Sequence, residues 1–261
     1  MTETLRIVRI ISWSTFRQGL RGRLFFLALT AVCAVFFLGN VFRNFSDKAN
    51  LELRLVIETG LALSALVVLG TALLLACRGI GYGDERASHQ ALFALPISRN
   101  GVYWGHLTGI WLTLATFTTA MAVAMVAVVA WRFGHWRWSL LVHFFTLFLE
   151  GALLAAIASF IALGRSTIVA FFSTLAIAII AHAEGVVTHL AKESGHMLLD
   201  WFATAFVKIL PALAALDVKA VAVRDLAIPW SRLAWGVGHS LLYLTVVLLL
   251  ASFVRERVEG A

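Results

Sequence analysis

The sequence predicts an all-α integral membrane protein that forms one domain, 1–261, with six transmembrane helices. Two observations predict this class. Apolar residues make up 61% of the chain and charged residues only 13%, whereas soluble domains have roughly 45–50% and about 25%. Six segments are also long and apolar enough to cross a hydrocarbon core, which takes about 20 helical residues. They are 24–42, 55–77, 102–131, 140–163, 167–187 and 233–254.

The residue pattern of segment 1–23, before the first predicted span, predicts an amphipathic helix. Ile7, Val8 and Ile11 fall on one side when residues are placed 100° apart, as in a helix. The other side carries Arg6, Arg9, Arg17 and Arg21, with Ile10 and Trp13 among them. We expect such a helix to lie in the membrane interface with its arginines at lipid phosphates. The alternative is a basic tail with no defined place in the membrane.

The second connection contains a short amphipathic stretch that ends at a proline. Asp84 and Glu85 suit the positive end of a helix dipole. An apolar side follows, formed by Ala87, Ala91, Leu92 and Leu95. Pro96 disfavours helix at the residue before it, and Arg99 follows just before the third span. The pattern leaves two alternatives open: a helix on the membrane surface, or a helix that fits a cleft in a partner.

Ionisable residues inside predicted spans are candidate functional residues because they are costly to place in lipid. Glu150 lies near the middle of the fourth span. It either lines a cavity or gate, or bonds a Ser or Thr of a neighbouring helix. His143 lies on the same helix face, where a His–Glu pair suits a proton relay or a metal, although snorkelling to the interface also explains it. His182 and Glu184 lie in the fifth span, and we expect a structural role for them at a gate.

The long connection 188–232 begins with further histidines and acids. His189, Glu193 and His196 have a spacing that suits zinc on one helix face. The alternative is the solvated face of a helix that leaves the fifth span, which Gly195 interrupts. The sequence therefore predicts no metal site.

The orientation follows from the arginines before the first span, because positive residues concentrate on the cytoplasmic side. Five arginines precede residue 24: Arg6, Arg9, Arg17, Arg21 and Arg23. With six spans, this predicts that both termini and the connection 78–101 are cytoplasmic. The formal charge of +7 is explained by these interfacial arginines, so no nucleic-acid binding is expected.

Several short motifs, taken in order, resemble type-2 ABC exporter permeases. The run GDE at 83–85, ALFALPISR at 91–99 and YWGH at 103–106 resembles the cytoplasmic loop of that family, with His106 where a Lys is usual. The run RQGLRGR at 17–23 resembles the end of the family's N-terminal elbow helix. The runs ILP at 209–211, LDVK at 216–219 and FVRER at 253–257 resemble the outer segment before the last span and the C-terminal end.

The resemblance implies a membrane subunit of an ATP-driven exporter in the inner membrane of a prokaryote. The loop 83–97 would carry a coupling helix that docks in a separate ATPase. Its candidate residues are Asp84, Glu85, Leu92, Leu95, Pro96 and Arg99, and the elbow residues Arg17, Arg21 and Arg23 would also meet the ATPase. Two permease chains, expected to be identical, and two ATPase chains would form the transporter. Short helices are expected in the outer loop 188–232.

The chain lacks the GxxxxGK motif, followed by Ser or Thr, that cradles nucleotide phosphates. We therefore expect no enzyme activity and no cofactor in this chain, with ATP and magnesium bound by the partner. Two other functions remain open: an intramembrane metal or haem enzyme that uses the histidines, and a scaffold subunit that does not transport.

Overall fold

The computed structural model describes residues 2–21, 49–78, 99–134, 136–194 and 210–259, together with the isolated positions 26, 30, 31, 33, 34, 37, 41, 198 and 201. Every regular element among these residues is an α-helix, which confirms the predicted all-α class. In chain order they are α1 (Thr2–Arg21), α2 (Ala49–Arg78), α3 (Arg99–Phe133), α4 (Trp138–Ala162), α5 (Thr167–His182), α6 (Glu184–Glu193), α7 (Leu213–Leu216), α8 (Lys219–Arg224) and α9 (Trp230–Glu259).

Four helices are long and apolar enough to cross a membrane. They cover Leu51–Cys77, Asn100–Phe133, Trp138–Ala162 and Trp230–Val254. A fifth span is added when α5 and α6 are taken together as one broken helix. The first predicted span, 24–42, lies mostly outside the described residues, so the expectation of six spans stays a prediction.

Successive long helices run in alternating directions. Glu52 at the start of α2 forms an ion pair with Arg132 at the end of α3, at 2.5 Å. Gly134 then turns the chain into α4 with φ of 65°, a left-handed conformation that costs glycine little. After α4, Ser166 caps α5, because its Oγ accepts a hydrogen bond from the Val169 N–H at 3.4 Å. Helices α2 to α5 therefore cross the bundle up and down.

Helix α4 lies at the centre of the bundle, in contact with α2, α3, α5, α7, α8 and α9. Small residues allow this close packing. A Cβ atom on Gly151 would lie 3.3 Å from Val68 of α2. On the α3 side, Trp111 donates its Nε1–H to the carbonyl oxygen of Ala152 at 3.2 Å.

Helix α1 packs along the first half of α3 through glycines four residues apart. A Cβ atom on Gly105 would lie 2.7 Å from Ile11, and one on Gly109 would lie 2.6 Å from Thr15. Small residues at this spacing let two helix backbones approach closely inside or beside a membrane. The α1–α3 contact therefore depends on the absence of side chains at Gly105 and Gly109.

Helices α1 and α3 run parallel. Ser12 forms a hydrogen bond with Thr108, and Gly19 lies against Thr113 further along both helices. Because the residue numbers rise together, the start of α1 lies on the same side as the start of α3. The helix predicted within 1–23 is confirmed over Thr2–Arg21, whereas its position in the membrane interface stays a prediction.

Helices α7 and α8 are short helices within the connection 188–232, as predicted. They lie at the end of the bundle where α4 and α9 begin. Arg137, just before α4, donates hydrogen bonds to the carbonyl oxygens of Ala222 and Val223, both at 3.3 Å. Arg232 of α9 donates to the Ala214 oxygen at 2.9 Å. These bonds fix α7 and α8 against that end of the bundle.

Candidate functional site

Glu150 is the middle residue of the 25-residue α4 and is 6% exposed. Half of a span of this length lies on each side of it, so the carboxyl group is near the middle of the hydrocarbon core. A lone carboxylate at this depth is unfavourable by roughly 3 kcal/mol. Glu150 therefore needs a partner from another helix.

That partner is His182, the last residue of α5. Its Nε2 lies 3.3 Å from Oε1 of Glu150, and its Nδ1 lies 2.9 Å from the Ala178 carbonyl oxygen. The sequence left two alternatives for Glu150. The described residues place an imidazole rather than a Ser or Thr within its reach, and a cavity- or gate-lining role stays a prediction. The two residues were singled out separately in the sequence, and the fold brings them together.

The geometry limits the proton states of the pair. A carbonyl oxygen only accepts, so Nδ1 of His182 carries a proton. Nε2 then meets Glu150 in one of two ways: as the second N–H of an imidazolium facing a carboxylate, or as a bare nitrogen that accepts from a protonated carboxyl. Both states have zero net charge, which suits a site of low dielectric. In either state the pair carries one proton besides that on Nδ1, either on Nε2 of His182 or on Glu150, and this is called the shared proton.

The predicted helix is interrupted directly after His182. The sequence predicts one span over 167–187, whereas the structure ends α5 at His182 and bends 65° into α6. Ala183, with φ of −83° and ψ of 9°, forms the break. Glu184 lies in the first turn of α6 and is half-buried, where a carboxylate is favoured by the helix dipole. The predicted gate residues His182 and Glu184 thus flank a helix break.

Of the three residues whose spacing suits zinc, the structure shows two with side chains in contact. Nε2 of His189 lies 3.4 Å from Oε1 of Glu193, and both side chains are largely exposed. His196 lies outside the described residues. Within the described ranges, no group of three or more histidine, cysteine or acidic side chains is close enough to hold a metal ion.

The predicted ATPase-coupling residues fall largely where the structure gives no description. Asp84, Glu85, Leu92, Leu95 and Pro96 lie outside the described residues, as does the elbow residue Arg23. Arg99 is the first residue of α3. On α1, Arg17 and Arg21 are exposed, and Arg17 lies over the ring of Trp13 at 5.2 Å from its centroid. Their proposed contacts with an ATPase stay predictions.

Two features of this part of the molecule were not anticipated from the sequence. The first is the contact of α1 with α3, in which Thr15 Oγ1 lies 3.2 Å from His106 Nδ1. Its signal was present in the glycine spacing at 105 and 109. The second is the burial of His143 on α4, where it is 7% exposed.

No family model matches the chain, and no curated protein is significantly similar to it.

Proposed function

We propose that this protein is the membrane-spanning permease subunit of an ATP-driven exporter. The observation that carries the transport function is the broken span α5–α6, whose first helix ends at His182 beside the buried Glu150 of α4. Interrupted helices with polar groups at mid-depth are a common way to build a substrate path or gate in transporters. An ionisable pair at this depth is a functional-site hypothesis by default.

The assignment to the ABC class is supported by the sequence resemblance described above. In this proposal the loop 83–97 docks on an ATPase subunit through Leu92, Leu95 and Pro96, with Asp84 and Glu85 before them. Two ATPase chains bind ATP and magnesium, and their closure moves the loop. This chain itself needs no cofactor.

The packing of α1 on α3 supports a mechanical role for these helices. Helix α3 has 35 residues and is thus about 52 Å long, well beyond a hydrocarbon core of about 30 Å. Its first turns follow the proposed coupling loop and are joined closely to α1 at Gly105 and Gly109. A movement of the loop would therefore displace α1 and α3 as one body.

The remaining parts of the proposal concern assembly and location. A second copy of this chain completes the substrate path, and the assembly lies in the inner membrane of a prokaryote with both termini cytoplasmic. The parallel packing of α1 and α3 supports one element of this topology, since it places the N-terminus on the side of the connection 79–98.

The test is purification of the tagged chain from its native host in mild detergent, followed by mass spectrometry. We expect a stoichiometric protein with a nucleotide-binding GxxxxGK motif. The double variant Leu92→Ala, Pro96→Ala should lose this protein while remaining folded.

The matched control is Leu226→Ala, Pro229→Ala, which changes an exposed leucine and proline in the connection at the other end of the bundle. This control should keep the ATPase. If the wild-type chain is folded and carries no ATPase, the exporter proposal is wrong.

A further inference from the structure

Four polar side chains form a line on one face of α4, from its first turn to its middle. Ser139, His143, Thr146 and Glu150 follow one another in steps of four, three and four residues. At 100° per residue they fall within an arc of about 60°. Each is at most 7% exposed. We refer to these four residues as the polar line.

The polar line carries hydrogen-bonding atoms that the described residues leave without a partner. They are Oγ of Ser139, both ring nitrogens of His143 and Oε1 of Glu150, which has only the ion-pair contact with His182. A buried polar group without a hydrogen bond is unfavourable in free energy. In native proteins such groups are bonded to ordered water where the site is polar and has room for it. Four such atoms along about three turns of α4 favour a hydrated line over a dry one.

Charged residues lie over the outer end of the polar line. Asp217, in the turn between α7 and α8, acts electrostatically on both His143 and His182. Lys219, at the start of α8, acts on His143. Asp217 is itself exposed to solvent. One exposed carboxylate is therefore close enough to interact electrostatically with both histidines.

Other titratable groups near this region include Arg137 and Asp225, which form an ion pair at 3.7 Å, and residues of α6 and α9. Glu184 follows the helix break. On α9, the His239 ring lies 6.5 Å from the Tyr243 ring, and the Ala212 N–H donates to His239 Nδ1 at 3.4 Å. His239 is thus held by the segment before α7.

Beyond Glu150 the same face of α4 is apolar. Leu153, Leu154 and Ile157 continue the face and are at most 5% exposed. They belong to a buried apolar cluster with Ala178 of α5 and Val247 of α9. The face is therefore polar in one half of the helix and closed by packed apolar side chains in the other.

We propose that the polar line holds a file of water molecules that opens beside α7 and α8 and ends at the Glu150–His182 pair. The shared proton of that pair then exchanges with the side of the membrane where α4 begins, and not with the opposite side. This inference needs only a membrane-embedded chain, so its outcome is independent of whether an ATPase partner exists.

The first test uses the unmodified protein and hydroxyl radicals generated from water, with oxidised residues located by mass spectrometry. Radicals form where water is, so His143 should be oxidised despite its burial. Met121 and Met125 are the controls, since they are buried in α3 with at most 1% exposed, against 7% for His143, and methionine is readily oxidised. Oxidation of His143 with both methionines unmodified supports the water file. An unmodified His143 overturns it.

The second test follows the path with single cysteines and a membrane-impermeant thiol reagent, added to either side of reconstituted vesicles. The background carries Cys33→Ala, with Cys77 retained because it is buried. We expect Ser139→Cys and Thr146→Cys to react at least about tenfold faster than the controls, since the reactive thiolate forms only in contact with water. Reaction should occur from one side only.

Two control positions isolate the path. The first is Phe145→Cys, because residue 145 is at the depth of Thr146 but on the exposed face of α4. The second is Ile157→Cys, because residue 157 is on the polar-line face beyond Glu150. Both should stay slow from either side. Equal rates at 145 and 146, or reaction at 157, would contradict a one-sided path along this face.

Discussion

Helices α4 and α9 are alike in length and mean hydropathy, but α4 is mostly buried and α9 is mostly exposed. Each has a 25-residue segment containing an 18-residue window with mean hydropathy of 2.1, yet 72% of that window is buried inside the protein in α4 against 17% in α9. Hydropathy therefore determines whether a helix can cross the membrane. It does not determine whether that helix lies at the centre of the bundle. Side-chain size accounts for the difference.

The second half of α4 reads GALLAAIASFIA, whereas the middle of α9 reads LLYLTVVLLL. Lipid chains are as apolar as leucine, so helices associate in a membrane through close packing and polar contacts rather than through hydrophobicity. Glycine and alanine let the neighbouring helices approach α4 closely. The long side chains of α9 keep neighbours away and suit an acyl-chain surface.

The largest expected effect comes from shortening a leucine in each helix. Leu154 of α4 is 0% exposed and Leu249 of α9 is 64% exposed. Leu154→Ala should lower the free energy of unfolding by about 2–5 kcal/mol, because it leaves a cavity. Leu249→Ala leaves no cavity and should have little effect. Unfolding in detergent titrated with dodecyl sulfate measures both, and equal losses would contradict the buried position of α4.

The second prediction compares a partly buried arginine with an exposed one, both near the ends of their helices. Arg132 pairs with Glu52, which is 9% exposed. Arg132→Met should cost about 3 kcal/mol, because a buried carboxylate loses its counter-charge. The exposed Arg232 of α9 is the control, and its replacement by Met should cost about 1 kcal/mol for one hydrogen bond. Adding Glu52→Gln to Arg132→Met should recover most of the loss. If the double variant does not recover the free energy of unfolding, loss of the Glu52–Arg132 ion pair is not the cause of the destabilisation.

Glycine substitutions compare the space around the two helices directly. A Cβ on Gly151 of α4 would lie 3.3 Å from Val68, whereas a Cβ on Gly238 of α9 would meet nothing within 4 Å. Gly151→Leu should cost about 1–3 kcal/mol through overpacking. Gly238→Leu should be neutral or stabilise by about 0.5 kcal/mol, because glycine is a poor helix former. Thermal unfolding in detergent separates the two, and a stable Gly151→Leu variant would refute the close α2–α4 contact.

The smallest expected effect concerns polar side chains. Glu150 reaches His182 on another helix at 3.3 Å, whereas Thr245 of α9 bonds the Leu241 carbonyl of its own helix at 2.8 Å. A double-mutant cycle with Glu150→Gln and His182→Gln should give a coupling of about 1 kcal/mol. Thr245→Val should change stability little. Additive effects of the two glutamine substitutions would mean that the pair does not form.

The sequence predicted the helical class, the apolar segments and the importance of Glu150 and His182 as single residues. It did not predict that these two meet, because Glu150 and His182 lie on different helices and no local pattern relates them. It also did not predict the break at Ala183, although His182, Glu184 and Gly185 interrupt the apolar run at this point. These residue types also occur within continuous helices, so they do not by themselves set a bend of 65°.

Which segments are apolar enough to enter a membrane can be predicted from the amino acids alone. That property is a sum over residues: the transfer free energy of each side chain depends on its own chemistry and adds along a segment of about 20 residues. Which helix is central, which polar groups meet and where a span ends follow only from the packing of the folded chain. Those properties depend on distances between residues far apart in the chain, such as Gly109 and Thr15 or Glu150 and His182, and a sum along the chain contains no such distances.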